Sequence, residues 1–96
     1  MSAAIQRTGD SLAVSGDMIM ETAAALLAEG NAGIAAGEPR FDLSGVVNID
    51  SSCLAVLFGW QRTAMAQGKA LAIASLPASL ISLAEVYGVT ELLPLS

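Results

Sequence analysis

The residue types that could do chemistry in this chain converge on one short stretch, Asn48-Ile49-Asp50-Ser51-Ser52-Cys53-Leu54, where an acid and two hydroxyls stand between a strand-like run and a helix start. Unpaired backbone N–H groups at the start of a helix bind hydroxyl or anionic oxygens. Ser51 can therefore simply cap the helix, or it can stand open as a contact or modification point. Other candidates are sparse. The chain has no His and a single cysteine, Cys53, so a common zinc site or an activated thiol lacks its partners, and Cys53 reads most simply as a small buried hydrophobe. Asp42 could in principle share a site with Asp50, but it lies mid-strand with no second group suited to general acid–base work. A Gly-rich phosphate loop is also missing. The expectation is a non-enzymatic protein that needs no cofactor or metal and binds no nucleotide by itself.

Nine acids against four bases give a net charge of −5, and the bases Arg7, Arg40, Arg62 and Lys69 are scattered. Nucleic acids and anionic membrane surfaces are bound by concentrated Lys and Arg, so neither is expected as a direct ligand. The longest apolar run, Cys53 to Trp60, is far shorter than the roughly 20 residues that a spanning helix needs. The N-terminal residues show no charged-then-apolar leader, so a mature chain beginning at Met1 in the cytoplasm is expected. With 96 residues, 54% of them hydrophobic, one domain with one continuous core is expected over residues 1–96.

The elements that must hold the junction follow from pattern. Ser11 to Ser15, bounded by Gly9-Asp10 and Gly16-Asp17, predicts a strand that Ile5 to Thr8 can pair with. Asp17 is the expected N-cap of a first helix whose buried stripe is Ile19, Ala23, Leu26 and Leu27, and Glu29-Gly30-Asn31-Ala32-Gly33 reads as its exit and a loop. Arg40 to Asp50 predicts a strand with a bend at Gly45, leading to a second helix from about Ser52 to Gln67 with Gly68 as its left-handed cap. Lys69 to Ala74 reads as a central strand covered on its faces. Pro77 opens a third helix with the stripe Leu80, Leu83, Ala84 and Tyr87, ended by Gly88 before a tail from Val89 to Pro94. Strand, helix, strand repeats imply parallel pairing and a small α/β sheet with helices packed on it.

On the second helix, Val56, Cys53, Trp60, Ala64, Leu57, Leu54, Met65 and Phe58 fill one broad sheet-facing arc. The remaining sector holds Ser52, Ala55, Gly59, Arg62, Thr63 and Ala66, mostly small and next to Ser51. A glycine inside a helix costs about 1 kcal/mol relative to Ala. Gly59 therefore marks a close approach, either of a partner on a docking face or of the protein's own chain.

Phe41-Asp42-Leu43-Ser44, Asp50-Ser51-Ser52-Cys53-Leu54 and Ala70-Leu71-Ala72-Ile73 stand in an order that resembles STAS domains, the domains of anti-sigma-factor antagonists and sulfate transporters. In those antagonists the hydroxyl residue after the Asp is phosphorylated by a partner kinase, and Ser51 is the matching position. Cys53 departs from their pattern, which has Gly there; this changes how closely a kinase can approach Ser51 while leaving room for a static contact. Leu12-Ala13-Val14-Ser15-Gly16 and Leu83-Ala84-Glu85-Val86-Tyr87-Gly88, with Leu93-Pro94, resemble the STAS subunit of Mla-type phospholipid transporters over nearly the whole chain. That resemblance implies a single STAS domain of mixed sheet and helices. It also implies a subunit that binds the cytoplasmic ATPase of an ABC transporter and so sits at the inner membrane only through its partner. The expected contact is the junction together with the small-residue face of the second helix behind it: Asp50, Ser51, Ser52, Ala55, Gly59 and Arg62. The other role the resemblance implies is an anti-sigma-factor antagonist switched by phosphate on Ser51.

Overall fold

The computed structural model describes residues 2–93; Met1 and Pro94, the ends of the expected chain start and tail, lie outside them. Strands β1 (Ala3–Thr8) and β2 (Ser11–Met18) form an antiparallel hairpin across Gly9-Asp10, with Thr8 opposite Ser11. Helix α1 (Met20–Ala36) leads to β3 (Arg40–Ile49), helix α2 (Ser52–Ala66) to β4 (Ala72–Ala74), and helix α3 (Ala78–Tyr87) to a short 3₁₀ turn at Thr90–Leu92. The sheet order is β1-β2-β3-β4, with β3 parallel to both β2 and β4. The expected element order and the mixed α/β sheet are thus present.

Alternation along the strands sends Leu12, Val14 and Met18 of β2, Phe41 and Leu43 of β3 and Ile73 of β4 into one core. Their neighbours Ser15 and Ser44 are exposed, and Ala13 and Asp42 half-buried. One face of the sheet therefore carries most of the packing, the pattern of a sheet with one solvated side. Trp60 of α2 is fully buried and stacks on Phe41, with ring centroids 4.1 Å apart and planes 6° from parallel. Its indole Nε1–H is shared between the carbonyls of Leu26 (3.1 Å) and Leu27 (3.3 Å) on α1. Such aromatic pairs contribute about 0.5–1.5 kcal/mol beyond their buried area. The indole thus locks α1, α2 and β3 together.

Several expectations require correction, and each has a packing cause. Helix α1 does not exit at Gly30; it continues to Ala36, with Gly30 and Ile34 buried. A Cβ at Gly30 would overlap the Trp60 indole, so this glycine answers a close approach and not a turn. Asp17 is not an N-cap. It lies in β2, which runs on to Met18 because that side chain is buried and pairs with Ile49; the Asp17 carboxylate instead accepts from Asn48 Nδ2 at 2.8 Å. Lys69–Ala74 is not a central strand: only Ala72–Ala74 pair, at the edge of the sheet. Lys69 Nζ donates to the carbonyls of Ile34 (2.8 Å) and Gly37 (3.1 Å), placing a cation on the carbonyl end of α1.

The bend at Gly45 is present as part of an irregular pairing. Ala13 stands opposite Asp42 but Ser15 opposite Gly45, and Gly16 opposite Val46 but Asp17 opposite Asn48, so β3 carries two extra residues. Bulges of this kind twist a strand and re-aim its end. Here that end is the junction at Asp50. Glycines 68 and 88 follow α2 and α3 with φ of 71° and 69°, as their placement predicts.

Candidate functional site

The junction is organised by the Asp50 carboxylate. Oδ1 accepts the Ser52 N–H at 2.8 Å, at the start of α2, and Oδ2 accepts the Met20 N–H at 3.0 Å, at the start of α1. One side chain therefore caps two helices that enter from different strands. The Asp50 N–H in turn donates to the Met18 carbonyl (3.3 Å), holding the ends of β2 and β3 together. The Met20 N–H bond, most of all, keeps the Asp50 carboxyl below its usual range; burial opposes this, and bonds from the Ser52 N–H and hydroxyl reinforce it. The start of α1 is completed by Thr22, whose Oγ1 accepts the Ile19 N–H (3.1 Å) and donates to the Asp17 carbonyl (2.6 Å).

With both helix starts served by Asp50, Ser51 makes no side-chain capping bond and is exposed. Of its two sequence readings, the cap is thereby excluded and the open hydroxyl remains. Ser52 is half-buried, and Ala55 and Arg62 are exposed on the same side of α2. Gly59 is different, because it is buried and a Cβ there would lie 2.6 Å from Leu27 Cδ1 on α1. The close approach that this glycine serves is therefore internal, between α2 and α1. It does not form part of an open small-residue face.

Cys53 is fully buried with its Sγ 3.7 Å from Met18 Sδ. Burial, aided by the Asp50 charge, pushes its thiol up to about 12, so it is a neutral core group. Asp42 lies eight residues from Asp50 along β3, roughly 25 Å for an extended strand, and the two acids share no site. Its carboxylate accepts the Ser44 N–H at 2.9 Å, and bonds from Ser44, with a smaller one from the Ser75 hydroxyl, hold its carboxyl down against burial. Among the described residues no cluster of three or more His, Cys, Asp or Glu is assembled for a metal, and no helix is long and apolar enough to cross a membrane.

Pattern reading missed the neighbour of Ser51. An open groove of ≈ 380 Å³ is lined by Ser51, Leu54, Phe58, Tyr87 and Val89, joining the start of α2 to the end of α3. Tyr87, expected in the apolar stripe of α3, is 57% exposed, and Met65, expected on the sheet-facing arc of α2, is 66% exposed. Periodicity identifies a side of a helix but not where the facing layer ends. Two more apolar side chains stand open by the junction: Met20, whose N–H Asp50 holds, and Val47, three residues upstream. The junction thus presents an exposed hydroxyl beside exposed apolar groups, a mixture that also occurs in protein contact surfaces.

The family model described as Mlab, STAS domain matches residues 1–94. No curated protein matches the sequence. Among solved structures the chain is similar to a putative anti-sigma factor antagonist from Thermotoga maritima, with a TM-score of 0.73 at 15% identity over 97% of this chain and 84% of the other. It is also similar to an anti-sigma factor antagonist from Mycobacterium paratuberculosis, with a TM-score of 0.71 at 24% identity over 98% of this chain and 83% of the other. The antagonist SpoIIAA in its unphosphorylated form gives 0.66 at 12% identity, covering 88% and 82% of the two chains. At these identities the likeness is one of fold.

Proposed function

The chain belongs to the STAS family, in the group described as Mlab, and from that premise we propose that it is a non-enzymatic accessory subunit. It docks on the cytoplasmic ATPase of an Mla-type phospholipid ABC transporter and supports its assembly and activity in outer-membrane lipid asymmetry. The observation that carries the proposal is the division of labour at the junction: Asp50 holds both helix starts, and Ser51 is left exposed and free of capping duty. The contact then comprises Ser51 and Ser52, with Ala55 and Arg62 further along α2 and Asp50 as its scaffold. Membrane association comes through the transporter.

The test is binding of the purified chain to the ATPase by calorimetry. Ser51→Asp sets a second carboxylate beside Asp50 and should weaken binding by about tenfold or more, a loss of about 1.4 kcal/mol per factor of ten. The circular dichroism spectrum should stay intact, because an acid near a helix start is locally favourable. Unchanged affinity would place the junction outside the interface.

The exposed Ser51 hydroxyl also favours one second reading, an anti-sigma-factor antagonist. A partner kinase would transfer the γ-phosphoryl of ATP to Ser51 Oγ, the hydroxyl proton and ADP leaving, and the new dianion beside Asp50 would release the partner. Radiolabel transfer that Ser51→Ala abolishes supports this reading. A stable ATPase complex without label supports the first.

A further inference from the structure

The two helices that wall the groove beside Ser51 carry two charges between them. Helix α3 has Glu85, which stands two residues before the wall residue Tyr87 and so about 200° round the helix from it. Helix α2 has Arg62 and no acid. Counted from Ser51, whose backbone is already helical, Ala55, Phe58, Arg62 and Met65 follow at i+4, i+7, i+11 and i+14, the spacing of one straight stripe about 21 Å long. Ser51, Ala55, Arg62 and Met65 are exposed and Phe58 is half-buried. Phe58 is also a groove wall, with Leu54, Tyr87 and Val89. Arg62 stands one turn beyond Phe58 and two beyond Leu54, and a helical side chain leans back over the preceding turn. Its guanidinium does so here, with Nη2 3.6 Å from where a Cβ on Gly59 would stand. The other cations are occupied or distant. Arg7 and Lys69 donate to the carbonyls of Gly33, Ile34 and Gly37 at the end of α1, and Arg40 opens β3 at the end far from the junction.

Resting on the docking reading above, we infer that the partner protein lays an amphipathic helix along this stripe. One of its apolar side chains enters the groove, an Asp or Glu about one to two turns away meets Arg62, and a second apolar group lies against Met65. A groove of ≈ 380 Å³ lies at the small end of the range for binding pockets, about 300–1,000 Å³, which suits a side chain better than an extended ligand. Ala55, between Ser51 and Phe58, keeps the middle of the stripe low, and the distance between packed helices is set by the side chains at their contact. The guanidinium offers a planar fork that binds a carboxylate through two N–H groups. Asp50, next to Ser51, directs its own carboxylate at the N–H groups of Met20 and Ser52. The net charge of −5 opposes an acidic segment at long range, but at physiological salt that opposition is screened over about 8 Å. The group that touches Arg62 therefore answers to Arg62. Anionic membranes are captured by clusters of cations, which one arginine does not make, and a second copy would bring its own −5 to the contact.

The experiment uses the full chain and the transporter ATPase, with affinity read by calorimetry and folding by circular dichroism. Arg62→Glu should weaken binding by about tenfold or more and Arg62→Lys by only about threefold, since Lys keeps the charge and loses the fork. Arg40→Glu makes the same change in net charge at the far end of β3 and should bind within about twofold of the parent. Tyr87→Ala, at a groove wall, should cost about tenfold, and Met65→Gln, at the other end of the stripe, about threefold. All four positions are exposed, so the spectra should not change. If the parent binds and Arg62→Glu binds as well or better, no acid meets Arg62 and this inference fails while the docking reading stands. Equal binding by Tyr87→Ala or Met65→Gln fails it in the same way, the first by leaving the groove empty and the second by ending the contact short of the stripe. If the parent itself binds no ATPase, both fall. Two other outcomes would give the stripe a different occupant and overturn the inference: a dimer in sedimentation that Arg62→Glu dissociates, or co-sedimentation with phosphatidylglycerol vesicles that the same substitution abolishes.

Discussion

Replacing Asp50 tests the architecture of the junction most directly, because one substitution withdraws the acceptor from two helices. Losing a capping acid to Ala costs typically about 1 kcal/mol per helix, within a range of about 0.5–2. The Met20 N–H bond is solvent-exposed and lies at the low end of that range, since water can replace it; the Ser52 bond is partly buried and lies higher. Asp50→Ala should therefore destabilise by about 2 kcal/mol in all. For a domain of this size 1 kcal/mol moves Tm by about 4–8 °C, so a fall of roughly 8–16 °C is expected.

Asp50→Asn keeps one acceptor oxygen but turns an NH₂ towards the other helix start, and should lose about half as much. The pH dependence follows from the depressed carboxyl. The unfolded chain takes up the proton first as pH falls, so the contribution is complete above the unfolded value and is lost as pH drops through the folded one. The gap between the parent and Asp50→Asn should accordingly be constant near neutrality and narrow below about pH 4. Asp42, also depressed, is present in both proteins and cancels. Thermal and urea melts followed by circular dichroism measure all of this. An Asp50→Ala protein melting within about 2 °C of the parent, or a parent–Asn gap indifferent to acid, would refute the double cap.

Two further outcomes are expected. Gly30→Ala should lower stability by about 1–3 kcal/mol in urea denaturation despite the better helix propensity of Ala, because the added methyl overlaps the Trp60 indole. Cys53, with its thiol raised to about 12, should not react with an aromatic disulfide reagent at neutral pH in the native protein and should react fully in denaturant; native labelling would show that the core opens there.

Much of the architecture was legible from residue pattern because it rests on local signals: the turn at Gly9-Asp10, the left-handed glycines after α2 and α3, and the apolar stripes of the helices. What pattern reading misplaced depends on contacts between distant segments. Gly30 looks like a helix stop until Trp60, thirty residues on, is seen to need its missing side chain. Asp17 has the right chemistry for a cap, but Met18 and Ile49 draw β2 three residues further than expected and the cap is supplied from Asp50 instead. Gly59 signals a close approach correctly, yet the approaching chain is α1. The same limit hid the groove, whose walls come from two helices that are separated in sequence and meet at their ends.

The double cap also separates two messages that one short motif carries. Any descendant of this chain would still draw on the acid at position 50 to begin two helices, whereas no capping bond requires a hydroxyl at position 51. Selection for folding alone would preserve the first residue and release the second. On the proposed docking reading, a search keyed to the acid therefore retrieves scaffolds, and the residue after it reports whether the scaffold is still in service.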